Sequence, residues 1–237
     1  MKAGARPAGA AGLQRPARSG TAIIVFAKAP VAGQVKTRLA PALGAEGAAA
    51  LAGRMLAHAL AAACAAGART VELCTAPDGA RHTAFDALRA THRALHHTAQ
   101  GPGDLGERMA RALGRALATH ERALLLGTDA PALDAGHLAR AEAALCAGYD
   151  AVLVPALDGG YVLVGLADAA ALPTLFTGIA WSTAEVMPAT RRRAQAAGLR
   201  VAELAPVADI DVPADLVHLP AGWLEDPPLG ALNGGRM

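Results

Sequence analysis

Short hydrophobic runs alternate along the chain with longer alanine-rich segments. The first run, Ile23 to Phe26, is enriched in β-branched residues, which is typical of a strand buried on both faces. The full pattern predicts strands at residues 23–26, 70–75, 93–98, 123–127, 151–155, 161–166 and 199–204. Helices are predicted at residues 46–66, 79–89, 104–119, 138–147 and 183–197.

Strand–helix alternation followed by two strands with a short turn predicts an α/β domain with a hairpin. We expect a mainly parallel sheet with one antiparallel element. The chain of 237 residues fits a single such domain at residues 21–219. Residues 1–20 are expected to be a disordered basic extension, and residues 220–237 a loose tail.

The charge of the chain is unevenly distributed. The first twenty residues hold four basic residues and no acid, so with a total of +2 the remainder carries −2. A mildly acidic body argues against a broad nucleic-acid surface.

The cysteines Cys64, Cys74 and Cys146 lie far apart and form no C-x-x-C pair. We expect buried, reduced thiols in a cytoplasmic protein. No apolar run approaches the ~20 residues that span a bilayer, so no membrane partner is expected. The sequence indicates no particular oligomeric state.

In open α/β sheets, ligands bind beyond the carboxyl ends of the strands. Polar clusters occupy four such positions, at residues 28–38, 100–108, 128–131 and 158–161. In the first, Gly33 permits close approach of backbone amides to a ligand, and Lys36 and Arg38 supply positive charge. The spacing is not that of a P-loop, because the second glycine is missing. The loop is either phosphate-binding or a solvated basic turn.

The second cluster, QGPGDLGERM, contains G-x-G-x-x-G at residues 101–106, with Asp129 following 23 residues later. One interpretation is a dinucleotide-binding fingerprint. Another is a glycine turn before a helix capped by Asp104 and Glu107. A third is a base-recognition loop in which Gln100 reads the edge of a nucleobase.

Two aspartate-bearing segments follow later strands. Asp129 in GTDAP is either a ligand of a hard cation or the first residue of an Asx turn. The segment DIDVPADL, at residues 209–216, holds three aspartates that either supply a second metal ligand or cap a terminal turn.

Two further motifs are consistent with local structure. Asp158 and Gly159 in DGGY are typical of a hairpin turn, although such a turn does not require the following Gly160 and Tyr161. WSTAE predicts a capping box formed by Ser182 and Glu185, and a helix start of this kind also binds anions.

Together, the motifs AKAPxxGxxKTRL, QGxGDLGERM, GTDxP, DGGYxLxG, WST and DIDxPxDL resemble a bacterial family of nucleotide-diphospho-sugar-transferase-like proteins. Members are labelled selenodomain-associated transferases or arsenosugar-biosynthesis glycosyltransferases. The resemblance runs in order from about Ile23 to Leu216. It implies the GT-A fold, a three-layer sandwich with helices on both faces of a mixed sheet. The same superfamily includes guanylyltransferases whose first loop is similar.

The resemblance also implies roles for individual residues. The implied nucleotide-binding residues are Ala27, Lys28, Gly33, Lys36, Thr37, Arg38, Gln100, Gly103 and Asp104. Asp129 and Asp211 are the implied ligands of Mg²⁺ (or Mn²⁺), and Lys36, Arg38 and Asp129 the implied catalytic residues. The implied substrate-facing residues are Asp158, Gly159, Gly160, Tyr161, Trp181, Ser182 and Thr183.

These features predict a Mg²⁺-dependent transferase. Its substrates are expected to be a nucleotide sugar, or alternatively a nucleoside triphosphate, and a small-molecule acceptor. Glycosyltransferases of this fold usually carry D-x-D where this chain reads Gly127-Thr128-Asp129, so nucleotidylyl transfer is the second hypothesis. An NAD(P)-binding oxidoreductase and a non-catalytic nucleotide-binding scaffold are the hypotheses from other classes.

Overall fold

The computed structural model describes residues 18–78, 85–87, 90 and 95–224. Most of the predicted helix at residues 79–89, the start of the strand predicted at 93–98, and most of both predicted tails lie outside these residues. Within them the strands are β1 (Thr21–Lys28), β2 (Thr70–Ala76), β3 (His96–Ala99), β4 (Arg122–Leu126), β5 (Ala151–Pro155), β6 (Tyr161–Leu166) and β7 (Val201–Glu203). The helices are α1 (Ala40–Ala65), α2 (Leu105–Leu117), α3 (Ala135–Cys146), α4 (Leu172–Phe176) and α5 (Val186–Ala196).

The described strands form one seven-stranded sheet in the order β3-β2-β1-β4-β6-β5-β7. Strands β1 and β4 are parallel neighbours, and β6 runs antiparallel to both β4 and β5. The predicted hairpin of β5 and β6 is confirmed. Six strands therefore end at one edge of the sheet, and β6 begins there.

Helices cover both faces of the sheet and form the outer layers of a three-layer sandwich. On β1, Ile23 and Val25 belong to one core cluster, which includes residues of α1 and α3, while Ile24 belongs to the other, which includes residues of α2, α4 and α5. This alternation follows from the period of two in a strand, and it explains why β1 is apolar throughout. The α/β three-layer architecture expected from the sequence is confirmed.

Helix α1 bends at Gly44, whose φ of 68° is not helical. By length and composition, the stretch Thr37–Ala65 is apolar enough to cross a membrane, contrary to the sequence expectation. Half of its most apolar window is buried inside the protein, which is typical of a core helix.

Several details differ from the predictions. The helix predicted from residue 183 begins at Val186, and the short helix α4 was not predicted. The three cysteines form no disulfide within the described residues, but only Cys74 is buried, whereas Cys64 and Cys146 are exposed. Both exposed cysteines lie on alanine-rich helices, in which alanine does not indicate which face is buried.

Gly165 in β6 provides a test of the packing at the middle of the sheet. A Cβ at this position would collide with Leu124 of β4 and lie 2.6 Å from Val152 Cγ1 of β5. We expect Gly165→Ala to lower the free energy of unfolding by about 1–3 kcal/mol, because a close-packed core accommodates an extra methyl poorly. Chemical denaturation measures the change.

Gly53→Ala is the matched control, since its new methyl would lie 3.9 Å from Pro30, at ordinary contact distance. Within a helix this change is expected to be neutral or to stabilise by up to ~1 kcal/mol. Equal denaturation midpoints for the two variants would contradict the packing argument.

Candidate functional site

A cavity of ≈ 530 Å³ opens at the edge of the sheet where most strands end. The ends of β1 and β4, the loop after β1, the first turns of α2 and the start of β6 form its walls. Its lining includes ten of the predicted site residues: Ala27, Lys28, Lys36, Thr37, Arg38, Gln100, Asp129, Tyr161, Ser182 and Asp211. The strand-end rule thus points to a position at which the structure forms a cavity.

The centre of the site is an ion-pair triad of Lys36, Asp129 and Asp211. Lys36 Nζ lies 3.0 Å from Asp129 Oδ1 and 2.7 Å from Asp211 Oδ1, and its side chain is only 7% exposed. Both carboxylates are about half exposed and therefore accessible from the cavity. The structure thus joins the loop after β1, the end of β4 and the segment after β7 at one point.

Backbone geometry holds the triad in place. Lys36 has a left-handed backbone, with φ 47° and ψ 38°, and its carbonyl accepts a hydrogen bond from Leu39 N. Ile210 N donates to the carbonyl of Asp129 at 2.9 Å, which fixes the two carboxylate-bearing segments side by side. The carboxylate of Asp215 accepts from the amides of Asp211 and Val212 and so anchors the turn that carries Asp211.

The triad keeps its lysine charged. Burial lowers the pKa of Lys36, but the charges and hydrogen bonds of Asp129 and Asp211 outweigh this effect, so that the pKa is raised overall. The hydrogen bonds to the amides of Val212 and Asp211 likewise overcome burial and lower the pKa of Asp215. An ammonium ion is therefore shared by two carboxylates at the cavity wall.

The rest of the basic loop is open to solvent. Arg38 is 69% exposed, and its Nη1 lies 3.6 Å from Asp211 Oδ2. Gly33 has a φ of 74°, and nothing lies within 4 Å of the position that a Cβ would take. The glycine is thus required for its backbone conformation and not for close packing.

The loop before α2 confirms the predicted helix cap. Asp104 Oδ1 accepts from the amide of Glu107, and Glu107 Oε2 accepts from the amide of Asp104. The glycines of G-x-G-x-x-G follow β3 at the edge of the sheet. The capping interpretation explains this motif, including Gly101 and Gly103, whose φ angles are 78° and 102°.

Gln100 is buried, and its amide is bonded within the protein. Its Nε2 donates to the carbonyls of Ala27 at 3.1 Å and Cys74 at 3.3 Å. Its Oε1 accepts from Arg108 Nη1 at 3.0 Å. The Gln100 side chain thereby links the ends of β1 and β2 to the first turns of α2.

A second cavity, of ≈ 500 Å³, adjoins the first on the side of β2 and β3. Lys28, Gln34, Val35 and Arg108 line both cavities. Gly103 lies in the wall of the second cavity, and the carboxylate of Asp78, in the same wall, accepts from the amide of Gly101. The two cavities form a continuous cleft along the ends of β1 and β2.

The DGGY segment lies on the opposite side of the first cavity. Asp158 Oδ1 accepts from the amide of Gly160, and Gly159 has a φ of 95° with Ala184 packed against it. Tyr161 lines the first cavity, and burial raises the pKa of its phenol well above the ordinary value, so the hydroxyl is protonated. The hairpin turn and the docking of this turn on Ala184 explain Gly159.

A smaller cavity of ≈ 230 Å³ adjoins the triad and is rich in carboxylates. Asp158 and Asp209 line it together with Arg38 and Asp211. Burial raises the pKa of Asp209, and the charges of Asp158 and Asp211 raise it further. The predicted substrate-facing Asp158 is thus close to Asp211 and Arg38, beside the triad.

The WSTAE segment differs from its predicted structure. Ser182 has a left-handed backbone with φ 63°, and α5 begins later, so the predicted capping box of Ser182 and Glu185 is wrong. The hydroxyl of Thr183 donates to the carbonyl of Ala180 and accepts from the amide of Glu185 instead. Ser182 lines the first cavity, whereas Trp181 and Thr183 line none of the three cavities described above.

Trp181 has a packing role. Its ring stacks on Phe176 with centroids 6.0 Å apart and meets the edge of Tyr161 at 6.3 Å. A Cβ on Gly106 would collide with the indole, so this glycine permits the close approach of α2. Trp181 therefore supports the wall that contains Tyr161.

The donor set fits a hard divalent cation. Two carboxylate oxygens, from Asp129 and Asp211, already converge on one positive charge. The described residues contain no cluster of three or more His, Cys, Asp or Glu with metal-site geometry. Mg²⁺ typically binds through one or two carboxylates and completes its coordination with water and substrate phosphates. A two-carboxylate site beside a cleft fits that mode of binding.

Arg108 was not among the predicted site residues, although it lines both main cavities. It lies near the start of α2, the helix that follows β3 after a five-residue loop. A basic residue four positions after the helix cap, Asp104, is the signal that would have identified it.

Comparison with known proteins defines the family. The family described as "Uncharacterized protein conserved in bacteria (DUF2064)" matches residues 55–183. No curated protein matches the chain. A solved structure from Desulfovibrio desulfuricans G20, assigned by name to the nucleotide-diphospho-sugar transferases, is 32% identical. The match covers 83% of this chain and 84% of that one, with a TM-score of 0.75.

More distant structures share the fold. A nucleotidyl transferase from Methanothermobacter thermautotrophicus is 17% identical, with coverage of 87% and 98% and a TM-score of 0.58. A homologue of Rv0371c from Mycobacterium sp. strain JC1 is 16% identical, with coverage of 86% and 97% and a TM-score of 0.53. The chain belongs to the DUF2064 family and has the GT-A fold of the nucleotide-diphospho-sugar transferase superfamily.

Proposed function

We propose that the protein is a metal-dependent glycosyltransferase that takes a nucleotide sugar as donor and a small molecule as acceptor. The observation that carries the proposal is the convergence of Asp129 and Asp211 on one cation beside a cleft at the sheet edge. The name of the 32% identical neighbour supports a nucleotide-sugar donor. The predicted cytoplasmic location is kept as part of this proposal.

The metal, Mg²⁺ or Mn²⁺, would be held by Asp129 and Asp211. When bound, it supplies Lewis-acid stabilisation of the charge that develops on the departing diphosphate. The protein groups act mainly by position and electrostatics, with no covalent enzyme intermediate. Lys36 and Arg38, already next to Asp211, would neutralise phosphate charge on the same side of the cleft.

The acceptor would enter from the side of the DGGY segment. Tyr161 and Ser182 line the first cavity, and Asp158 lines the small acidic cavity next to Asp211. In the transfer, a nucleophile of the acceptor bonds to the anomeric carbon while the bond from that carbon to the diphosphate oxygen breaks. The nucleoside diphosphate leaves, and the proton of the acceptor passes to solvent.

Nucleotidylyl transfer is the second candidate. It is favoured by the single carboxylate of Gly127-Thr128-Asp129, where glycosyltransferases of this fold usually carry D-x-D. An acceptor phosphate would then attack the α-phosphorus of a nucleoside triphosphate, and pyrophosphate would leave. Product analysis separates the two reactions, because glycosyl transfer releases a nucleoside diphosphate and nucleotidylyl transfer releases pyrophosphate.

Ligand-induced stabilisation tests the nucleotide and metal site. Thermal unfolding is measured with a panel of nucleoside triphosphates and nucleotide sugars, each with and without Mg²⁺. At a hundredfold excess over Kd, a ligand that binds only the folded state stabilises it by about 2.7 kcal/mol. We expect Asp129→Asn to abolish the Mg²⁺-dependent part of the shift.

Asp168→Asn is the control, since this exposed aspartate caps a short 3-10 turn, a role that asparagine also fills. The site assignment is wrong if Asp129→Asn and Asp168→Asn respond to Mg²⁺ and nucleotide alike.

The position of Lys36 leads to a separate prediction about how tightly the protein binds a divalent metal ion in the absence of nucleotide. Its ammonium occupies the space between the two carboxylates, so a divalent cation must compete with it. Two unit charges 4 Å apart interact by ~4 kcal/mol at an effective dielectric constant of 20. We therefore expect Lys36→Met to raise the affinity for Mn²⁺ alone by at least about tenfold and to lower the affinity for nucleotide. Calorimetry measures both affinities.

Lys28→Met is the control for removal of a positive charge from the same cavity, because none of the described carboxylates pairs with Lys28. It is expected to change the Mn²⁺ affinity much less. Equal effects of the two variants on Mn²⁺ binding would show that Lys36 does not compete for the metal position.

A further inference from the structure

The positive charges of the cleft are unequally compensated. Among the described residues, the basic side chains that line the first cavity are Lys28, Lys36, Arg38 and Arg108. Lys36 and Arg38 both lie within 4.0 Å of carboxylates. In the part of the chain that the structure describes, no carboxylate lies within that distance of Lys28 or Arg108. The uncompensated charge therefore lies on these two residues.

Lys28 and Arg108 both lie at the junction of the two cavities. Both line the first cavity, which contains the carboxylate pair, and both line the adjoining second cavity. A ligand with one part at Asp129 and Asp211 and another part in the second cavity would therefore pass close to both residues. An anionic group at that junction would meet two cations that have no carboxylate within 4.0 Å among the described residues.

Gln100 holds Arg108 at this junction. The two Nε2 hydrogens of Gln100 point at the carbonyls of Ala27 and Cys74, so its Oε1 must face the other way. A flipped amide would place oxygen against two oxygens, so the orientation is determined by the strands. Oε1 then accepts from Arg108 Nη1.

The guanidinium of Arg108 is fixed at a second point. Its Nε donates to the carbonyl of Asp104 at 3.2 Å. These two bonds use Nε and Nη1 and leave Nη2 without a hydrogen-bond partner among the described residues. An arginine held in this way offers a pre-oriented donor to an anion, and charge-assisted bonds of this kind are short and strong.

We propose that Arg108 is a phosphate-binding residue of the cleft, that Lys28 supplies the second charge, and that Gln100 positions Arg108. The inference rests on the proposed function, because we take the anion to be the phosphate of the nucleotide substrate that lies nearest its nucleoside. Gln100 acts through Arg108, a role different from the base reading that was one of the three interpretations of this loop.

Binding of inorganic tripolyphosphate, measured by calorimetry at constant ionic strength without metal, tests the proposal. This probe has no base or sugar, so it reports on the anion site alone. Arg108→Met is expected to lower its affinity at least about tenfold. Arg108→Lys is expected to give an intermediate loss. Lysine keeps the positive charge, but its ammonium lacks the planar arrangement of donors with which a guanidinium bonds Gln100 and the anion at once. Wild-type affinity in Arg108→Met would overturn the proposal.

A double-mutant cycle separates positioning from direct contact. Gln100→Met should weaken tripolyphosphate binding in the wild-type background and have no further effect in the Arg108→Met background. Independent, additive losses would overturn the positioning role of Gln100. If Gln100→Met does not fold, because two buried carbonyls lose their donor, the Arg108 variants still decide whether the anion site exists.

Arg111→Met is the matched control on the same helix. Arg111 donates to the backbone carbonyls of Gln100 at 2.7 Å and Pro102 at 2.9 Å, and it lines neither main cavity. We expect it to lower stability while leaving tripolyphosphate affinity unchanged within a factor of two. A loss equal to that of Arg108→Met would overturn the assignment, because general disruption of the loop would then explain both.

The failure of this inference is distinguishable from failure of the proposed function. If tripolyphosphate binds through Arg108 but no nucleotide or nucleotide sugar is bound or turned over, the proposed function fails and the anion site remains. If nucleotides bind and are turned over equally by wild type and Arg108→Met, the anion site fails and the proposed function remains.

Discussion

A single buried ammonium ion organises the cleft. Lys36 is nearly inaccessible to solvent, and the loop that carries it is tied through Asp129 to the end of β4 and through Asp211 to the segment after β7. A buried charge is tolerated only when it is well paired, and removal of one partner leaves the other uncompensated. The positions of the three segments therefore depend on one another. The shape of the cavity depends on these positions, because the segments form part of its wall.

The basic side chains of the cleft fall into two groups, those with and those without a neighbouring carboxylate. Lys36 and Arg38 lie next to carboxylates, whereas no carboxylate of the described residues lies within 4.0 Å of Arg108 or Lys28. An incoming polyphosphate would therefore meet two distinct environments in one cleft, one at the charge-paired triad and one at the two cations Lys28 and Arg108. The sheet sets their separation, because Lys28 ends β1 and Asp129 follows β4, its neighbour.

The sequence was sufficient for the fold and for the strand ends at which the candidate site lies, because both follow from periodicity and from the polarity of parallel strands. Lys36 and Asp129 were predicted from their positions after strands, Asp211 was implied by the family resemblance, and the structure brings the three side chains together. The pairing of Lys36 with both carboxylates was not predictable, since no local pattern reports on contacts between residues so far apart in the chain. The left-handed backbone of Ser182 was missed for a related reason. Serine does not favour that conformation, so the residue type gives no signal of it.

The aromatic contact between Trp181 and Tyr161 gives the cleft an intrinsic optical signal. The chain has two tryptophans. Trp181 touches Tyr161, which lines the first cavity, whereas Trp223 packs edge-on against His58 of α1. Indole emission from Trp181 therefore senses the polarity of a wall that a ligand would contact, and Trp223 provides an internal reference in the same molecule. Replacement of Trp223 by phenylalanine would convert the protein into a single-tryptophan sensor of its own cleft.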